Sequence, residues 1–154
     1  MLNRKKYRKI VLGATALSFA ACNGLSNSLA TVPANKQRVV IVGGGFGGAA
    51  TAKYLRKYDK NVEIVLVEQN KEYYTCPFSN AVIAGMEKID FIKQDLKALE
   101  NQHQVKVVYA KVKKVDGTTN SVILENGSII SYTRAIVSPG IDFKFEKGYT
   151  QENQ

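Results

Sequence analysis

The sequence predicts an α/β domain in which a parallel sheet is combined with a three-stranded antiparallel β-meander. Three observations carry this reading. An apolar run breaks into glycines just ahead of helix-forming residues, RVVIVGGGFGG at positions 38–48. A second apolar run ends on an acid, Glu68, and two turn dipeptides, Asp116-Gly117 and Asn126-Gly127, separate short β-type runs further along.

The elements follow in order. Arg38 to Val42, apolar after its first residue, reads as a strand, and Ala49, Ala52 and Leu55 lie at helical spacing in a segment running to about Tyr58. Val62 to Val67 is the second strand. Lys71 to Gly85, KEYYTCPFSNAVIAG, reads as an ordered loop leading into a short helix that starts near Ser79. Ile89, Ile92, Leu96 and Leu99 are spaced for one further helix, and Val105 to Tyr109 returns as a strand. Ala110 to Val115, Ser121 to Leu124 and Ser128 to Tyr132 form the meander, because both intervening dipeptides favour the positive φ angles of hairpin turns. Arg134 to Ser138 is expected as a last buried strand, ended by Pro139-Gly140, and the tail from Gly148 to Gln154 is polar.

The glycine run carries the first functional expectation. Gly43, Gly45 and Gly48, with Phe46 and Gly47 between them, satisfy G-x-G-x-x-G. The first glycine permits the tight turn, the second lets the backbone approach a pyrophosphate, and the third lets the helix pack close to the strand. Phosphates would then meet unpaired N–H groups and the positive end of the helix dipole. Glu68, about twenty residues after Gly48, stands where an acid accepts both hydroxyl hydrogens of an adenosine ribose; the alternative is a solvated acid at a strand end.

Composition narrows the partners. More than half of the formal net charge of +9 sits in Arg4, Lys5, Lys6, Arg8 and Lys9. The remaining lysines are scattered among acids apart from Lys111, Lys113 and Lys114, and no stripe of basic and aromatic residues runs along the chain, so nucleic acid is not an expected partner. At 154 residues and 45% hydrophobic content the chain suffices for one core, whereas dinucleotide-dependent enzymes usually carry a second domain for the substrate.

Residues 1–34 read as an export signal and short linker, and residues 35–154 as the domain. The leader has a basic start, an apolar run from Ile10 to Ala21, and small residues suited to cleavage after Ala30 or Ala34. That run is too short for a bilayer span, so no transmembrane segment is expected in the mature chain. Phe19-Ala20-Ala21-Cys22 offers a second route, lipidation of Cys22, and NRKKYRK loosely resembles a twin-arginine signal without its arginine pair. The expected location is periplasmic, with lipid anchoring through Cys22 as the alternative. Cys76 is then the one cysteine of the domain, which leaves no internal disulfide and no metal site of Cys/His spacing. His103, the single histidine, is expected in a solvent-exposed loop.

RVVIVGGGFGGAATAKYL, IVLVEQNKEYYTCPFSN and AIVSPGI together resemble the opening third of the flavoprotein subunit of flavocytochrome c sulfide dehydrogenase, over roughly Lys36 to Tyr149. That family is similar in fold to glutathione reductase and sulfide:quinone oxidoreductase. The resemblance implies a Rossmann-type FAD-binding domain, with Gly43, Gly45 and Gly48 cradling the pyrophosphate and Glu68 holding the ribose. It further implies that Val112 meets adenine through its backbone and that Pro139 and Gly140 approach the cofactor closely. Cys76 matches the family's cysteine that forms a thioether to the 8α carbon of the flavin; read without the resemblance, Cys76 is a small buried apolar residue.

The resemblance also implies sulfide as substrate and a c-type cytochrome subunit as electron acceptor. The family's redox cysteine pair and its returning Gly-Asp segment have no counterpart here. The chain is therefore expected to be truncated and inactive alone, as a fragment or a short product. The alternatives are part of a sulfide:quinone oxidoreductase-like enzyme and a non-catalytic exported dinucleotide-binding module.

Overall fold

The computed structural model describes residues 28–141. Residues 1–27, which hold the basic start, the apolar run and Cys22, and residues 142–154, which include the polar tail, lie outside the described residues.

Four strands form one parallel sheet: β1 (Arg38–Val42), β2 (Glu63–Glu68), β5 (Lys106–Tyr109) and β9 (Arg134–Val137), in the spatial order β5-β2-β1-β9. Val40 pairs with Val65 on one side and Ala135 on the other, so β1 lies inside the sheet and its residues after Arg38 are apolar on both faces. The chain builds outward from β1 through β2 to β5, then returns to add β9 on the opposite flank of β1. The order thus reverses beside β1, and in open α/β sheets ligands bind in the crevice at the carboxyl ends of strands flanking such a reversal.

Helix α1 (Phe46–Tyr58) and helix α3 (Lys97–His103) cover one face. Val39, Ile41, Ile64 and Leu66 bury themselves there against Ala52, Leu96 and Leu99. The opposite face is covered by the meander β6 (Val112–Asp116), β7 (Ser121–Leu124) and β8 (Ile129–Ser131). Val40, Val65 and Val67 meet Val122, Leu124, Ile130 and Tyr132 across it. The alternation of strand side chains between two faces therefore divides the core into two layers.

Arg56, only 8% exposed near the end of α1, donates to the carbonyls of Asp59, Lys60, His103 and Gln104. It ties together the chain segments that enter β2 and β5.

The segment expected as one helix from Ile89 to Leu99 is broken. It comprises a 3₁₀ turn (Ile89–Ile92), a short strand β4 (Lys93–Asp95) and the start of α3. β4 pairs antiparallel with β3 (Glu72–Tyr74), inside the stretch expected as loop, and a Lys93–Glu72 ion pair of 2.8 Å links them. Asp95 accepts the Lys97 N–H at 3.1 Å, which favours ending the strand and starting α3 there. The short helix α2 (Ser79–Ile83) lies where expected.

Three smaller expectations are corrected. β9 is an edge strand among the described residues, with Arg134 exposed and Val137 57% exposed, because only β1 pairs with it. His103 closes α3 and is half-buried. Of the two meander turns, Gly127 takes the expected positive φ of 82°, whereas at the other turn Asn120 does so at 49°. There the Asp116 carboxylate accepts the N–H groups of Thr118 and Thr119, forming a longer Asx-type turn.

Candidate dinucleotide site

The loop from β1 to α1 is built by close backbone approach. Gly43 has φ 97°, and a Cβ there would lie 2.0 Å from the Ser138 carbonyl oxygen; one on Gly48 would lie 1.9 Å from the Gly43 oxygen. Both positions exclude any side chain. Gly45 differs, because nothing lies within 4 Å of where its Cβ would stand. The protein itself would accept alanine at Gly45, so its open face is space for something else.

Gly45 is the N-cap of α1, and neither a side-chain cap nor an acid in the first turn is present among the described residues. The first N–H groups of a 13-residue helix therefore face outward with the positive end of its dipole. Phe46 and Gly47 are the first two helical residues, with Phe46 61% exposed and Gly47 against the Ser138 hydroxyl.

Glu68 closes β2 beside this loop. One carboxylate oxygen accepts the Gly44 N–H at 2.6 Å and the other accepts the Asn70 N–H at 2.9 Å. The Gly43 N–H donates to the Val67 carbonyl and the Ser138 N–H to the Val42 carbonyl, both at 2.8 Å, so β2, β1 and β9 converge on one turn. Burial raises the pKa of the Tyr73 phenol, and the charge of Glu68 adds to it.

A cleft of about 190 Å³ opens at these strand ends, lined by Gly43, Glu68, Gln69, Lys111, Val112 and Pro139 among others. It brings together four residues singled out in the sequence: Gly43, Glu68, Val112 and Pro139. Val112 begins β6 immediately before a register shift that ends at Lys114, a bulge that re-aims the backbone beside the cleft. Gly140, with φ 80°, follows Pro139 but does not line the cleft. Cys76 is exposed in the turn before α2 and does not line it either.

Several contributors carried no decisive sequence signal. Gly44 sits in the run of three glycines, yet its bond to Glu68 depends on the β1–β2 register. Lys111, which reaches Glu125 at 3.0 Å, reads in the sequence only as one of three neighbouring lysines. Ser138 is a small residue at a strand end until β9 lays it against Gly43 and Gly47.

A parallel sheet with an order reversal, a glycine turn opening a helix and an acid on the neighbouring strand define a dinucleotide-binding α/β domain. Residues 37–148 match the family model described as pyridine nucleotide-disulphide oxidoreductase, and the chain belongs to that family of flavin-dependent oxidoreductases. It is 65% identical over 46 residues to the sulfide dehydrogenase [flavocytochrome c] flavoprotein chain of Chlorobaculum thiosulfatiphilum, covering 30% of this chain and 96% of that sequence. The resemblance to the FAD-binding portion of such a flavoprotein therefore holds.

The sulfide-quinone reductase of Aquifex aeolicus is 26% identical over 117 residues, 76% of this chain and 27% of that one. The solved sulfide:quinone oxidoreductase of Aquifex aeolicus superposes with a TM-score of 0.65 at 27% identity, over 71% of this chain and 25% of that chain. The chain thus spans about a quarter of the length of these longer relatives. No helix among the described residues is long and apolar enough to cross a membrane.

Proposed function

We propose that the chain is the FAD-binding part of a sulfide dehydrogenase of the flavocytochrome c type. The observation that carries the cofactor assignment is the cleft at the strand ends, lined by Gly43, Glu68, Val112 and Pro139, with the rest of the glycine turn following directly on Gly43. The residues present fit FAD: Gly45 leaves a space that its own Cβ would narrow, and α1 offers uncapped N–H groups there. Gly43 and Gly48 hold the turn, Gly45 admits the pyrophosphate, and Phe46 and Gly47 present the helix N-terminus. Glu68 accepts the ribose hydroxyls, and Val112 offers its backbone to adenine. Pro139 and Gly140 keep bulk away from the cofactor. When bound, FAD accepts an electron pair and releases electrons singly.

The sulfide and cytochrome assignments rest on the 65% identity to the flavoprotein chain. In this reading a c-type cytochrome subunit takes the electrons, and Cys76 tethers the flavin. The exposure of the Cys76 thiol supports the tether, since attachment requires an accessible sulfur. The basic start and apolar run of the leader support export to the periplasm. Cys76 is the one cysteine of residues 35–154, so in this reading these residues do not themselves supply a redox cysteine pair. The solved sulfide:quinone oxidoreductase favours a second reading, in which the same domain serves an enzyme that delivers electrons to quinone.

The test is acid precipitation of the purified holoprotein. Flavin retained in the pellet and mapped to the Cys76 peptide is the expected result; flavin released entirely into the supernatant overturns the tether. Failure to bind FAD in stoichiometric amount overturns the cofactor assignment. Sulfide-dependent cytochrome c reduction by the chain alone overturns its predicted inactivity.

A further inference from the structure

Arg38 is 1% exposed, and its guanidinium is held by the N-terminal end of the described chain. Its Nη1 donates to the Leu29 carbonyl at 2.8 Å and to the Ser131 carbonyl at 3.2 Å; its Nη2 donates to the Ser28 carbonyl at 3.4 Å. Its Nε completes the set with Glu63 at 2.8 Å. The Ser131 hydroxyl in turn donates to the Ala30 carbonyl. Leu29, 4% exposed, packs in the core layer beneath the meander with Val122 and Ile130. Three consecutive residues thus supply two carbonyls to a buried cation, a third to a meander strand, and one core side chain.

We propose that Ser28–Ala30 is a structural strap of the mature domain, so that the protease removing the leader cuts before Ser28. The processing claim rests on the export reading; the strap does not. Cleavage after Ala30 or Ala34 would remove Leu29 from the core and strip Arg38 of the Leu29 and Ser28 carbonyls, leaving its guanidinium the Ser131 carbonyl and Glu63 alone. Leaving buried donors unpaired costs far more than an average hydrogen bond contributes, and the vacated leucine site adds a cavity. The two small-residue sites read from the sequence therefore lie too far into the chain. The Ala21–Cys22 bond is compatible with the strap.

The processing test is intact mass and N-terminal sequencing of the protein from cells that make the full precursor. The expected start lies at or before Ser28. A mature chain starting at Thr31 or Asn35 overturns the proposal, whereas a chain still carrying Met1 overturns the export reading. The strap is decided separately, by thermal unfolding of the full-length chain. Leu29→Ala is expected to lower the midpoint by roughly 5–10 °C, while Asn35→Ala, at an exposed position, leaves it unchanged. An unchanged midpoint in the Leu29 variant overturns the strap.

Discussion

The Glu68 carboxylate accepts the backbone N–H of Gly44 at 2.6 Å, so the acid that ends β2 also organises the glycine turn that follows β1. In the proposed site it has a second task, accepting ribose hydroxyls. The two tasks separate on substitution. Glu68→Gln keeps an acceptor for Gly44, leaves the exposed Asn70 N–H to water, and loses the charge that strengthens a hydrogen bond to a hydroxyl. It should weaken FAD binding about tenfold, or ~1.4 kcal/mol, with little change in the unfolding midpoint. Glu68→Ala should lower both. Calorimetric titration beside thermal unfolding separates the tasks, and wild-type FAD affinity in Glu68→Gln would remove Glu68 from the ribose site.

Gly45 and Gly48 should respond oppositely to the same methyl group. Alanine at 48 meets the Gly43 carbonyl and must disturb the turn, so Gly48→Ala should unfold at markedly lower temperature. Alanine at 45 meets nothing and suits the φ of −66° there. Gly45→Ala should therefore fold as the native chain does and lose FAD affinity. Equal FAD affinity in Gly45→Ala and the native protein would contradict the pyrophosphate assignment.

Arg56 binds four carbonyl oxygens and, among the described residues, no carboxylate. Arg56→Met retains most of the apolar stem but strips donors from partly buried acceptors, at a cost of about 1–3 kcal/mol. Lysine should not restore it, because a point-like ammonium cannot reach carbonyls on both connections at once. Denaturant unfolding of the two variants provides the check.

Asp116 predicts a pH dependence. The Lys114 ammonium and the N–H groups of Thr119 and Thr118 hold its carboxyl at about 2, below the ordinary 3.8. The folded state binds that proton less readily than the unfolded chain. The stabilisation is therefore present above about pH 4 and is lost as pH falls through about 2. Asp116→Asn should flatten this part of the unfolding-midpoint profile; an unchanged slope between pH 4 and 2 would assign it to other carboxylates.

Cys76→Ser tests retention against binding. Cys76 does not line the cleft, so the serine variant should still bind FAD but release all of it on acid precipitation. Absorbance of the supernatant before and after acid gives the answer directly.

Much of this architecture was legible because its signals are local. The strand, glycine turn, helix and second strand occupy consecutive residues, and Asn126-Gly127 needs no distant partner to bend the chain. The segment from Ile89 to Leu99 was misread for the opposite reason. Ile92, Leu96 and Leu99 are buried, as helical spacing suggests, but pairing of β4 with β3 breaks the backbone between them. A partner remote in sequence overrode local periodicity. The site divides in the same way: Gly43 and Glu68 announce themselves, while Lys111 and Ser138 acquire a place only once the sheet brings distant residues together.

The sheet's order of construction also sets when the cradle can exist. β1 is synthesised early, but its flank is completed by β9, and the Arg38–Thr133 hydrogen bond spans a separation of 95 residues. Gly43 meets Ser138 only when that last strand docks. A nascent chain carrying the whole glycine motif therefore has half a cradle until the meander has been made and β9 has left the ribosome. Contacts this distant close late and slowly. On the proposed assignment cofactor capture therefore waits for β9, and a ribosome paused within the meander holds a chain with the motif but without the cleft.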